Sequence, residues 1–220
     1  MLAGGTAAGE LLLYDISNPR APKQGFGDEP VATYVPHVRG GGAPPEALTA
    51  RFSPLAERIV AVGYASGAAQ IYDSRKQRAV MELCDANSPR RVAGIAWAPN
   101  AQTSLVLASD DDRSPTLQFW DLRYKDAAKL EYVGHSRGVT DVAWCTQDPG
   151  LLLSSGKDRA TIVWDAASGD RLGSMNVYEA GPAIQVAPLP SCLLHLISFS
   201  IWLCTCRGSP ASRVCLPAPR

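Results

Sequence analysis

The stretch GHSRGVTDVAWCTQDPGLLLSSGKDRATIVWD, residues 134–165, decides the fold. Gly134 and His135 open it, VTDVAW (139–144) predicts a first strand, LLLSSG (151–156) a second and ATIVWD (160–165) a third. Each run is short, β-branched or aromatic, and bounded by Gly, Asp, Ser or Pro, which is how half-buried strands and their turns read. AASGD then supplies a turn into an outer strand, RLGSMN (171–176).

The same scheme repeats towards the N-terminus. An apolar run closed by an aromatic and an aspartate occurs four times, at Tyr14-Asp15, Tyr72-Asp73, Trp120-Asp121 and Trp164-Asp165, with spacings of 58, 48 and 44 residues. A four-stranded propeller blade recurs every ~40–45 residues, so the spacing predicts blades with longer loops in the earlier copies. The third copy contains VAGIAW (92–97), LVLAS (105–109), TLQFWD (116–121) and an outer strand near KLEYV; the second contains LTARFS, IVAVGY, AAQIYD and AVMELC. No window of a dozen residues keeps apolar positions at helical spacing without Gly or Pro interrupting it. The fold class expected is all-β: a partial WD-repeat β-propeller of about four blades over residues 1–176.

Why those residue types recur is a question of buried polar groups. An aspartate in a tight turn accepts from backbone amides and from a histidine N–H. The histidine accepts from a serine hydroxyl, and a tryptophan indole donates to that serine. A network in which each member is satisfied is tolerated in a core and fixes one strand register. In the fourth copy His135, Ser154 or Ser155, Asp158 and Trp164 are spaced as in the hydrogen-bonded tetrad of WD-repeat blades, which this region resembles. A hydrolase triad is the competing reading of Ser, His and Asp; the GxSxG elbow is absent and the repeat explains the same residues.

Other features point away from catalysis and nucleic acid. Lys plus Arg and Asp plus Glu both number 21, so no general pull towards an anionic polymer or membrane is expected. AGGTAAGE (3–10) lacks the Lys and Ser/Thr of a phosphate loop and reads as a turn between strands. The acidic run Asp110–Asp112 with Arg113 lacks the Gly and distal Glu of a calcium loop and reads as an exposed loop. Arg90 and Arg91 make a short basic spot, too small for a nucleic-acid site. Cys204 and Cys206 form a CxC pair without zinc-site spacing, and the six cysteines do not frame disulfides. No cofactor and no metal are expected. Nothing after Met1 reads as a signal peptide, which leaves a cytosolic address.

From Val92 to Asp165 the chain is similar to the N-terminal propeller of the large outer-coat subunit of the COPII vesicle coat. The segment ASDDDRSPTLQFWDLR (108–123) carries most of that resemblance, through its acidic pair, Arg and Pro before WDLR. The resemblance implies a propeller of seven blades, of which about four are present here, and a non-catalytic scaffold of endoplasmic reticulum to Golgi transport, at the cytosolic face of exit sites and peripheral to the membrane through the coat. It implies protein partners: the smaller WD-repeat outer-coat subunit and other coat rods. A generic WD-repeat adaptor or substrate receptor is the alternative function. LAGG (2–5) reads as the second strand of an early blade, so the chain is expected to start inside the propeller. Residues 177–220 have no blade pattern. That tail is expected to be disordered or a gene-model artefact, with a membrane anchor over Leu189–Cys206 as the other reading.

Overall fold

Strands in fours make up most of the computed structural model, which describes residues 2–14, 30–38, 43–76, 78–85, 89–124 and 126–176. Asp15, the tail 177–220 and the CxC pair lie outside the described residues. The first sheet holds β1 (Leu2–Gly5), β2 (Leu11–Tyr14) and β3 (Ala32–Tyr34). The second holds β4 (Ala47–Phe52), β5 (Ile59–Tyr64), β6 (Ala69–Asp73) and β7 (Ala79–Leu83). The third holds β8 (Val92–Trp97), β9 (Ser104–Ser109), β10 (Thr116–Asp121) and β11 (Leu130–Val133). The fourth holds β12 (Val139–Trp144), β13 (Leu151–Gly156), β14 (Ala160–Asp165) and β15 (Arg171–Asn176). Every described ladder is an antiparallel meander, and no helix occurs among the described residues.

The innermost strands β4, β8 and β12 pack side by side, which places the sheets as successive blades about one axis. Each of these strands carries a register shift at the same place, between Ala47 and Thr49, Val92 and Gly94, and Val139 and Asp141. A bulge there sharpens the local twist as the chain enters the blade. The closing aromatics also share one register. Tyr72 pairs with Val60, Trp120 with Leu105 and Trp164 with Leu152, in each blade the second residue of the neighbouring strand.

The core lies between the blades, not within them, because a single sheet has two faces to cover and no partner of its own. One layer joins Leu11, Leu13 and Tyr34 to Val60, Tyr64 and Tyr72. The next joins Ile71 and Leu83 to Ile95, Leu105 and Trp120, and a third joins Val106, Leu117 and Tyr132 to Val142, Leu152 and Trp164. Tyr72, Trp120 and Trp164 each face the preceding blade and are at most 1% exposed. This is why the aromatic recurs: it is the largest contributor to each inter-blade seam, and a fully buried aromatic dominates local packing energy.

Candidate functional site

His135 sits in the loop from β11 to β12, Ser154 in the middle of β13, Asp158 in the β13–β14 turn and Trp164 on β14. The structure brings all four together. His135 Nδ1 lies 3.0 Å from Asp158 Oδ2, and Nε2 lies 2.7 Å from Ser154 Oγ. Trp164 Nε1–H donates to the same Ser154 Oγ at 2.8 Å. Asp158 also accepts from the amides of Ser136 at 2.9 Å and Ala160 at 3.1 Å. One proton arrangement satisfies every member: Nδ1–H donates to Asp158, Ser154 Oγ–H donates to Nε2, and the indole donates to Ser154. Gly156 makes room for it, since a Cβ there would stand 2.5 Å from His135 Nδ1 and 2.6 Å from Asp158 Oδ1.

Burial pushes the His135 pKa below its ordinary value of 6.5, against the pull of the Asp158 carboxylate. Burial of Asp158 acts upwards, but the Ser136 and Ala160 amides and the His135 ring outweigh it and hold the carboxyl below the ordinary value. Both groups therefore bind fewer protons in the folded chain than in the unfolded one, and acid favours unfolding. The His135 contribution is complete above pH ~6.5 and is lost as pH falls from there through the lowered folded value. Denaturant midpoints measured from pH 7.5 down to 5 are expected to fall, and the fall is expected to flatten in His135→Gln.

This geometry also has the connectivity of a hydrolytic triad, yet it cannot work as one. Ser154 is 1% exposed and its oxygen is occupied by the Trp164 N–H, so no substrate carbonyl can reach it. A nucleophile needs an approach path and a site for the reacting atom, and neither exists here.

The second and third blades do the same job with a different residue. In the fourth blade the cross-strand pair beside the tryptophan is Ser154 and Ile162. The equivalent pairs are Val62 with Gln70 and Leu107 with Gln118, so the polar member has moved to the neighbouring strand. Partners directly opposite on a ladder point to the same face, and either can therefore meet the aromatic. Tyr72 donates to Gln70 Oε1 at 2.8 Å, and Trp120 Nε1–H donates to Gln118 Oε1 at 3.4 Å. Each glutamine then reaches the segment that leaves the preceding blade. Gln70 Nε2 donates to the His37 carbonyl at 2.6 Å and its Oε1 accepts the His37 amide at 3.1 Å. Gln118 Nε2 donates to Asp85, in the segment leaving the second blade, at 3.5 Å, and at 2.9 Å to Glu131 on β11 of its own blade.

Sequence reasoning missed Gln70 and Gln118, although both stand two residues before the aromatic in AAQIYD and LQFWD. It also missed that YVPHVRG (34–40) and YVGHSRG (132–138) are one motif. Their tyrosines are equivalent: Tyr34 stacks edge-on against Tyr72 and donates to the Ser74 carbonyl, as Tyr132 does against Trp164 and the Ala166 carbonyl. A swap tests the interchange. Ser154→Val alone leaves the buried indole and imidazole unsatisfied, at ~1–3 kcal/mol per group. Adding Ile162→Gln is expected to restore about half of that loss or more in denaturant titrations, as an acceptor returns opposite.

The closing aspartates cap turns. Asp73, Asp121 and Asp165 each accept the amide two residues on, from Arg75, Arg123 and Ala167, at 3.0, 3.1 and 2.8 Å. Asp121 is additionally gripped by the Arg123 guanidinium, which holds its pKa down to about 2. Tyr14 is half-buried at the end of β2, paired with Leu2.

Two surface features are more engaged than the sequence suggests. Asp110 pairs with Lys157 at 2.5 Å, and Asp112 accepts the Gly138 amide at 2.8 Å beside Arg137 at 3.5 Å. The acidic loop of the third blade is thus a clasp onto the fourth rather than a free loop. Arg90 is not a free basic spot either: it is mostly enclosed and bonds Thr116 and Glu131, at 2.7 and 3.0 Å. AGGTAAGE forms the β1–β2 turn, where Gly9 has φ +81° and a Cβ would stand 2.4 Å from the Pro45 carbonyl oxygen.

No protein-family model matches the chain. It is 39% identical over 115 residues to protein transport protein SEC31 of Chaetomium globosum, covering 52% of this chain and 9% of that protein. It is 31% identical over 173 residues to Sec31A of Homo sapiens, covering 78% of this chain and 13% of that one. Against Sec31B of Mus musculus it is 26% identical over 207 residues, covering 94% of this chain and 17% of that one. The chain thus spans less than a fifth of the length of these relatives. Among solved structures, a chain of "COPII on membranes, outer coat vertex" matches with TM-score 0.67 and 24% identity, over 79% of this chain and 45% of that chain. A chain of "Crystal Structure of Mitotic Checkpoint Complex" matches with TM-score 0.61 and 22% identity, over 79% of this chain and 47% of that one. The structural likeness establishes the propeller fold alone, shared by proteins of two different assemblies. The sequence likeness goes further, running through four successive sheets to proteins of one name: the chain is a Sec31-type run of WD-repeat β-propeller blades.

Proposed function

We propose that this chain is a structural part of the COPII outer coat in endoplasmic reticulum to Golgi transport, acting through protein–protein contacts and without catalysis. The observation that carries the reading is the 31% identity to Sec31A over 78% of the chain, since the fold alone serves many complexes. The structure supports it physically. Among the described residues, His135, Ser154 and Asp158 are bonded to one another inside the fourth blade, and the acidic clasp holds its charges between blades, which suits a rigid scaffold. On this reading the partners are the smaller WD-repeat outer-coat subunit and neighbouring coat rods. The site of action is the cytosolic face of exit sites and of the vesicle membrane, reached through the coat.

The experiment is to tag the chain in its native cell and purify it under mild crosslinking. Recovery of outer-coat subunits, together with punctate co-localisation with exit sites, is the expected result. A chain that recovers no coat subunit and spreads evenly through the cell would defeat the reading and favour a WD-repeat adaptor of another complex.

A further inference from the structure

The loops at the end of the blades away from His135 form a continuous surface across the second and third sheets. The Ser74 amide donates to the Arg58 carbonyl, Gln102 reaches the Leu55 carbonyl at 3.4 Å, and the Leu122 amide donates to the Thr103 carbonyl. These contacts join residues 53–58, 74–76, 98–103 and 122–124 edge to edge. Arg58, Arg75, Lys76 and Arg78 are all exposed on that surface, and no ion pair holds any of them among the described residues. At the opposite end Arg90, Arg91, Arg137 and Lys157 are paired with Glu131, Glu46, Asp112 and Asp110, and the exposed Arg113 and Arg159 stand apart on the turns of different blades. In a chain with 21 positive and 21 negative side chains, four unpaired cations gathered on two adjoining turns are a local excess, not a reflection of overall charge.

Shape and apolar surface accompany the charge. A cleft of about 330 Å³ opens between the two turns, lined by Ala56, Glu57, Arg58, Ile59, Asp73 and Arg75. Of its two acids, Asp73 is committed to the Arg75 amide, which leaves Glu57 to oppose the arginines. Leu55 beside the cleft is 43% exposed, and Tyr124 on the third blade's turn is 70% exposed. Arginines combined with an exposed tyrosine and leucine suit a peptide that offers carboxylates and some apolar contact.

We propose that this end of the second and third blades is a docking surface for an acidic, extended segment of a partner protein, with Arg58 and Arg75 flanking the cleft as its principal anchors. The proposal does not depend on the coat reading, because it rests on charge and shape within this chain.

The test uses the full 220-residue chain and a fluorescein-labelled dodecapeptide of alternating Asp and Glu, followed by anisotropy at low salt. Binding is expected that weakens about tenfold in the double variant Arg58→Glu, Arg75→Glu and declines as salt shortens the screening length. Arg91→Glu, at the other end of the blades, is the control of equal charge sign and is expected to change binding by less than about twofold. All variants alter exposed side chains, and unchanged thermal melts verify that they fold. Absence of binding, or equal weakening by Arg91→Glu, overturns the proposal. So does capture by phosphatidylserine vesicles that displaces the peptide and is lost in the double variant, which would make the surface a membrane contact instead.

Discussion

Trp164→Ala is expected to destabilise the fourth blade by ~3–5 kcal/mol, the range for removing a buried large aromatic. The tryptophan is 1% exposed, stacks edge-on with Tyr132 at 5.7 Å and sits over Gly134, where a Cβ would be 2.7 Å from the ring. Truncation therefore opens a cavity in the seam with the third blade and strips Ser154 of its donor. Trp164→Phe keeps most of the packing and loses the indole N–H with part of the bicyclic ring, so its cost is expected near ~1–3 kcal/mol. Chemical denaturation followed by far-UV circular dichroism measures both, and a Trp164→Phe loss near zero would remove the hydrogen bond from the account.

Asp158→Ala is the second large effect. It leaves the His135 Nδ1–H and the Ser136 and Ala160 amides without their acceptor, and the expected cost is about 3 kcal/mol. The carboxamide of Asp158→Asn retains one oxygen for the amides, so about half that loss is expected. Because the network acts as a unit, Trp164→Ala and Asp158→Ala combined should cost less than their separate effects together. Once one end of the chain of hydrogen bonds is gone, the other end holds less. Full additivity in the same titrations would show that the four side chains are independent.

Strand positions were legible in the sequence because aromatic-Asp endings and turn residues punctuate every copy, and two-residue periodicity does the rest. The fourth blade was legible down to individual side chains, since it spells out all four members of the tetrad. Ser154 against Ser155 could not be decided by spacing alone. One residue on a strand reverses the face, and Ser155 faces away, towards Thr140 at 3.3 Å. The glutamine solution of the other blades was hidden for a related reason. The expected pattern placed the polar residue on the second strand, whereas Gln70 and Gln118 supply it from the third, across the same ladder rung. The clasp from Asp110 and Asp112 was hidden because its partners, Arg137 and Lys157, belong to the next blade and lie more than two dozen residues away. The unpaired cations near Arg58 and Arg75 carry no motif at all; only the adjacency of four loops makes them a surface.

The account turns on the sheets being equivalent units with their aromatics in one place, and an experimental structure of the chain measures that directly. Superposing residues 47–83, 92–133 and 139–176 on one another should bring Tyr72, Trp120 and Trp164 onto a common position. Their hydrogen-bond partners Gln70, Gln118 and Ser154 should fall on the same ladder rung. A structure in which any of the three aromatics points to the other face of its sheet, or pairs out of register with the other two, would contradict it.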